Sequence, residues 1–149
     1  MATLLITAAT GGLGQATVNA LLARGVAASS IAVAVRDPAK AKALGWEEKG
    51  ISIRKVDYTD DQATWATALK GIERVLLISS NNMTSNDARS KEHKNVVEAF
   101  KSATSLKLVV YTSLFHADSS TMKLAEDHVI TEKCIKETKK PYIFLRNGW

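Results

Sequence analysis

The stretch Thr3-Leu4-Leu5-Ile6-Thr7-Ala8-Ala9-Thr10-Gly11-Gly12-Leu13-Gly14 decides how this chain folds. It opens as a short, continuous apolar run, Thr3–Ala8, and passes directly into glycines. Behind the glycines, Leu13, Val18, Leu21 and Leu22 recur at helical spacing until Gly25 ends the pattern. A strand, a glycine turn and a helix therefore follow one another without a linker. A strand that is apolar throughout, rather than alternating, is buried on both faces, as in a parallel sheet covered by helices.

The same unit repeats along the chain. Ile31–Val35 reads as a second apolar strand, and Asp37-Pro38 then caps a helix running to about Leu44. Ile51–Val56 is a third strand. Asp60 or Asp61 caps a helix through Leu69 that Gly71 ends. Arg74–Ile78 is a fourth strand, followed by the polar loop Ser79–Asp87 and a helix over Lys91–Thr104. Leu106–Tyr111, the loop His116–Thr121, the helix Lys123–Thr138 and the strand Tyr142–Leu145 complete the pattern. Right-handed crossovers turn this β–α alternation into an α/β, doubly wound parallel sheet with helices on both faces. A Rossmann-type sheet with strand order 3-2-1-4-5-6 is expected, as one domain over residues 1–149.

Composition excludes several classes. The chain has 149 residues, 46% of them apolar, enough for a core, and 23% charged, close to the average for globular domains. Its formal charge of +5 is a mild excess, spread along the chain with small clusters at Lys101–Lys107 and Lys136–Lys140. No basic stripe is interleaved with aromatics, so nucleic acid is not an expected partner. The single cysteine, Cys134, rules out a disulfide framework and fits a cytoplasmic location. No apolar run approaches the roughly 20 residues of a membrane span, and the N-terminus has no basic leader. No metal site is expected, and a homodimer is left open.

The glycine turn carries the first chemistry. A pyrophosphate approaches the free N–H groups of a helix N-terminus, where the dipole favours negative charge. A Cβ would block that approach. Gly11 and Gly12 leave the gap, and Gly14 lets the helix pack closely on the strands. Ala8, Ala9, Thr10, Gly11, Gly12 and Leu13 are thus the expected contacts of a nicotinamide dinucleotide. At the end of the second strand, where NAD-specific sheets place Asp or Glu, stands Arg36. A guanidinium suits a 2′-phosphate, so NADP (NADPH) is favoured over NAD, and Lys40 can assist. Asp37 is explained as the helix cap. Ser79 and Ser80 follow the fourth strand at the carboxyl edge and are candidates for the ribose or pyrophosphate.

These residues resemble the NmrA-like branch of the short-chain dehydrogenase/reductase superfamily, closest to the type 2 NADPH:quinone oxidoreductases. That family opens with T-G-A-T-G-x-L-G, which Thr7–Gly14 matches except for Ala8 in place of the first glycine. Further matches are Val35–Ala41, Asp57-Tyr58, Leu77–Ser80, Tyr111–Leu114, His116–Asp118, His128, Thr131–Lys133 and Leu145–Trp149. The likeness covers the whole chain in register. It implies that Arg36 binds the 2′-phosphate, that Asp57 and Tyr58 contact adenine, and that Lys133 binds the nicotinamide ribose. A capped loop at Asp57-Tyr58 and a solvated helix lysine are the plain alternatives. If the turn demands positive φ, Ala8 costs about 1–2 kcal/mol.

Catalytic equipment is sparse. Typical members of the superfamily use Tyr-x-x-x-Lys, but four residues before Lys133 stands Val129. His116, in the loop after the fifth strand, His128 and Lys133 are the catalytic candidates, with a structural role as the alternative for each histidine. Hydride transfer to a quinone needs little acid help, so the missing tyrosine is compatible with what the resemblance implies, an NADPH-dependent quinone oxidoreductase or its cofactor domain, which is the leading reading. An NADP-binding redox sensor without turnover is the other, and a remnant without cofactor affinity a third. The stop at Arg146-Asn147-Gly148-Trp149 suggests a longer polypeptide, because the family's C-terminal substrate domain is absent.

Overall fold

The carboxyl ends of six parallel strands form one edge of the molecule, and the sheet runs in the order β3-β2-β1-β4-β5-β6. The structure is a computed structural model that describes residues 1–85 and 87–148; Trp149 and Asn86, the latter within the expected Ser79–Asp87 loop, lie outside the described residues. The strands are β1 (Leu4–Ile6), β2 (Ile31–Val35), β3 (Ser52–Lys55), β4 (Arg74–Leu77), β5 (Leu108–Leu114) and β6 (Tyr142–Asn147). Between them lie α1 (Gly12–Ala23), α2 (Pro38–Ala43), α3 (Gln62–Ala68), α4 (Ala88–Ser102) and α5 (Lys123–Glu137). This is the doubly wound order expected from the alternation.

Strand β2 shows why the sheet is covered on both sides. All its residues are buried, and they alternate between two cores. Ala32 and Ala34 join Trp65, Phe100, Tyr111 and Ile135 beneath α3, α4 and α5. Ile31, Val33 and Val35 join Val18, Ala41 and Trp46 beneath α1 and α2. Small residues on one face and β-branched ones on the other let helices of different bulk sit at one sheet.

Caps set the helix boundaries. Asp37 accepts from the Ala39 N–H at 3.0 Å, so it is the cap of α2, with Pro38 in the first turn. Asp61, not Asp60, caps α3 through the Thr64 N–H at 2.8 Å. Asp60 instead accepts from the Asp57 N–H at 2.7 Å.

β1 is shorter than the expected Thr3–Ala8 and β6 runs two residues past Leu145, but the boundaries of β5 and α4 move furthest from expectation. Strand β5 begins two residues later and ends three residues further on than the apolar run, because Thr112, Ser113 and Leu114 register with Leu145, Arg146 and Asn147 of β6. The polar residues are tolerated there because each has a partner: Thr112 Oγ1 accepts from the Ser79 N–H at 2.8 Å, and Ser113 donates to Glu132 at 2.6 Å. Helix α4 starts at Ala88 rather than Lys91, with Arg89 and Ser90 buried in its first turn.

Candidate functional site

A cleft of about 560 Å³ opens along the carboxyl edge where β2, β1 and β4 end. Its floor is the glycine loop. Gly11 is the N-cap of α1, with no side chain to satisfy the helix's first amides and no acidic residue in the first turn. The amides of this turn therefore face the cleft without side-chain partners, as an anion requires. A Cβ on Gly12 would meet nothing within 4 Å, so space lies open beside the helix start. A Cβ on Gly14 would lie 2.5 Å from the Cα and O of Ala9, so this glycine is fixed by packing. Gln15 Nε2 donates to the Thr10 carbonyl at 2.8 Å and steadies the loop.

Ala8 adopts φ +47°, the left-handed region where the related pattern has glycine. The expected strain is present, and Ala8 lines the cleft. Thr10, Gly11, Gly12 and Leu13 line it as well. Ala9 does not: it is fully buried in the core beneath α1, so only its backbone belongs to the loop.

Arg36 stands at the rim beyond β2. Its side chain is 79% exposed, and Nε lies 3.6 Å from Asp57 Oδ2 at the end of β3. A guanidinium there is held loosely and is free to meet a phosphate. Asp57 and Tyr58 both line the cleft, yet their side chains act mainly as the capped-loop alternative supposed. Asp57 Oδ1 accepts from the Thr59 N–H at 3.1 Å. Tyr58 is buried, stacks on Trp65 at 6.2 Å between centroids, donates to the Ile78 carbonyl and lies 2.6 Å from Thr7 Oγ1. Burial pushes its phenol well above the ordinary range. Tyr58 thus braces the ends of β1 and β4 with its hydroxyl and offers no free ring face at the surface.

The far wall of the cleft is the loop after β4. Ser79 and Ser80 line it, together with Asn81, Asn82, Thr84 and Glu92. Sequence reasoning missed these last four, since no local motif ties a helix glutamate to a loop ten residues before it. Buried behind this wall are two neutral histidines. His93 accepts from the Ser80 N–H at 2.8 Å through Nε2, and burial, with lesser effects from His128 and Arg89, holds its pKa down to about 3. His128 Nδ1 lies 2.7 Å from the Tyr111 hydroxyl, and burial followed by the nearby Arg89 charge brings its pKa down to about 4.

The catalytic candidates His116, His128 and Lys133 all stay outside the cleft lining. His116 is exposed at φ +52°, its ring 4.0 Å from that of Phe115, itself 58% exposed. Lys133 is exposed on α5. Its neighbour Glu132 is the residue turned to the sheet, taking Arg146 at 2.7 and 2.9 Å as well as Ser113. Val129, where a catalytic tyrosine would stand, is also exposed. Among the described residues no helix is long and apolar enough to cross a membrane.

Residues 8–149 match the family described as NAD(P)H-binding. Quinone oxidoreductase 2 of Escherichia coli K12 is 44% identical over 144 residues, covering 97% of this chain and 48% of that protein. An NmrA-like family domain-containing oxidoreductase of Aspergillus flavus is 33% identical over 148 residues, covering 97% of this chain and 47% of that protein. Among solved structures, the Escherichia coli NADPH-dependent quinone oxidoreductase complexed with NADPH superposes with a TM-score of 0.88 at 43% identity, over 99% of this chain and 49% of that one. The chain thus spans about half the length of the curated relatives it matches.

Proposed function

This chain belongs to the NAD(P)H-binding family, and on that premise we propose that it holds NADPH along the carboxyl edge of its sheet for hydride transfer to a quinone. The observation that carries the reading is the uncapped start of α1, open to the cleft beside Gly12, with the exposed Arg36 guanidinium at the rim. The strand order supplies the orientation. Arg36, beyond β2, would hold the 2′-phosphate; the first turn of α1 would hold the pyrophosphate; Ser79 and Ser80, at the end of β4, would flank the nicotinamide half. Arg36, Gly11, Gly12 and Leu13 bind, and Ala8, Thr10, Asp57, Tyr58, Ser79 and Ser80 shape the walls.

When bound, the reduced nicotinamide supplies the hydride. The chain's own residues position it and exclude water from one side. His116 and Lys133 are assigned no part in holding the phosphates, and a proton for the reduced acceptor comes from solvent or from His116. The similarity to a quinone oxidoreductase along nearly the whole chain supports turnover over the sensor reading. A cytoplasmic location, in keeping with the free Cys134, belongs to the same proposal. So does a homodimer, for which the exposed Tyr142, Ile143 and Leu145 of the edge strand offer apolar surface.

The test is a calorimetric titration with NADPH and NADH, followed by NADPH oxidation with 1,4-benzoquinone. Binding that favours NADPH, with quinone-dependent oxidation, is expected. Absence of binding to either cofactor overturns the reading; tight NADPH binding with no turnover returns the sensor alternative for this length of chain.

A further inference from the structure

Between the end of β4 at Leu77 and the start of α4 at Ala88, the described residues form no regular structure, yet Ser79–Asn82 and Thr84 make a wall of the cleft. Two consecutive residues of α4 hold that wall. Glu92 accepts from the Ser80 hydroxyl with one carboxylate oxygen and from Asn82 Nδ2, at 2.6 Å, with the other. Ser80 Oγ in turn accepts from the Asn82 N–H at 3.0 Å. Asn82 Oδ1 passes the order on, accepting from the N–H and the hydroxyl of Thr84 at 3.1 and 2.8 Å.

His93 secures the same loop from below. Its Nε2 accepts from the Ser80 N–H, so Nδ1 carries the proton and donates to Thr131 Oγ1 at 2.8 Å. Thr131 donates onward to the Asp127 carbonyl at 2.7 Å. Neighbouring residues on a helix point about 100° apart, so one reaches the cleft wall and the other the core. Glu92 is half-buried at the cleft and His93 is fully buried. Ser80 is thereby gripped through both its backbone and its side chain. Its hydroxyl, committed to Glu92 and Asn82, is not a free ligand contact.

We propose that Glu92 is a positioning residue for the nicotinamide half of the cofactor: with His93 it latches the Ser79–Thr84 loop to α4 and so builds the wall against which that half lies. The proposal rests on the cofactor reading above. It separates the cleft into two functional parts. The part at α1 and Arg36 is independent of Glu92, and the part at the end of β4 depends on it.

The experiment titrates the wild type, Glu92→Ala and Glu92→Gln with NADPH and with 2′,5′-ADP, which carries the adenosine 2′-phosphate half and lacks the nicotinamide. Loss of two loop-ordering hydrogen bonds weakens NADPH about tenfold in Glu92→Ala. Binding of 2′,5′-ADP stays within about twofold. Glutamine can still accept from Asn82 and donate to Ser80, so Glu92→Gln restores NADPH to within about threefold of wild type. Amide exchange read by mass spectrometry quickens in the Ser80–Thr84 segment of Glu92→Ala and not in β1 or β2. If Glu92→Ala does not fold, Asn82→Ala removes the latch from the loop side and carries the same test. Unchanged NADPH binding in the alanine variant overturns the proposal, and so does a parallel loss of both ligands. A wild type that binds neither ligand overturns the cofactor reading itself, an outcome distinct from failure of the latch alone.

Discussion

Around the first turn of α1 the cleft is made of backbone: Gly11 and Gly12 bare the amides, and Gly14 brings the helix against Ala9. Around the end of β4 it is made of side chains: Glu92, His93 and Thr131 reach from two helices to order a loop of serines and asparagines. The first wall is rigid because a steric rule leaves the chain no alternative. The second is rigid because hydrogen bonds between distant residues are all satisfied at once. The first presents bare amides to the cleft. The second shapes a surface. A site with one wall of each kind can keep the first unchanged while the other changes.

The comparison breaks most readily at Gly14. A Cβ there would lie 2.5 Å from Ala9 backbone, which cannot yield. Gly14→Ala is expected to destabilise the fold by about 3 kcal/mol or more, read by urea denaturation. A near-neutral result would mean that helix and loop can separate without loss.

Acid attacks the opposite wall. His93 and His128 are neutral in the folded protein, with pKa values down to about 3 and about 4. In the unfolded chain they take protons near pH 6.5, so below that pH the unfolded state binds more protons and stability falls. Asp127, whose carboxyl burial raises, works in the opposite sense. The histidines dominate above the carboxylate range, and stability is expected to drop by about 2 kcal/mol between pH 7 and pH 5.5. Urea midpoints that do not move over this interval would show that the buried histidines are not neutral as described.

Arg36 sharpens the first wall. Arg36→Ala should weaken NADPH by about 10- to 100-fold, the scale of charge-assisted hydrogen bonds, and leave NADH nearly unchanged. Calorimetry with both cofactors checks it, and equal losses would remove Arg36 from recognition of the 2′-phosphate. The smallest effect is at Ala8. Glycine removes the strain at φ +47° but adds unfolded-state entropy, leaving a net gain of about 0.5–1 kcal/mol in Ala8→Gly. A lower melting temperature would show that the alanine turn carries no strain.

The legibility of the site follows the same division. The glycine loop and Arg36 could be read because their chemistry lies within a few residues: backbone clearance, a helix start and a cation at a strand end. Tyr58 lines the cleft, but its hydroxyl braces Thr7 and Ile78, partners 51 and 20 residues away, which no local pattern reveals. Lys133 was singled out by a motif, yet Glu132 beside it is the residue turned inward toward Ser113 and Arg146. A one-residue difference on a helix is a rotation of about 100°, and packing alone decides which residue faces the sheet.

By itself the amino-acid sequence determined the strand order, the helix cap at Asp37, the choice of Asp60 or Asp61 for the next cap and the anion-ready start of α1. Periodicity, capping chemistry and the absence of a Cβ are local rules that hold before anything packs. Only the tertiary structure decided that Ser80 is held by Glu92 and His93, that β5 extends through Thr112 and Ser113 against β6, and that Tyr58 is a brace. Each of these joins polar groups far apart in the chain, and burial makes their pairing obligatory only once the sheet and its helices have brought them together.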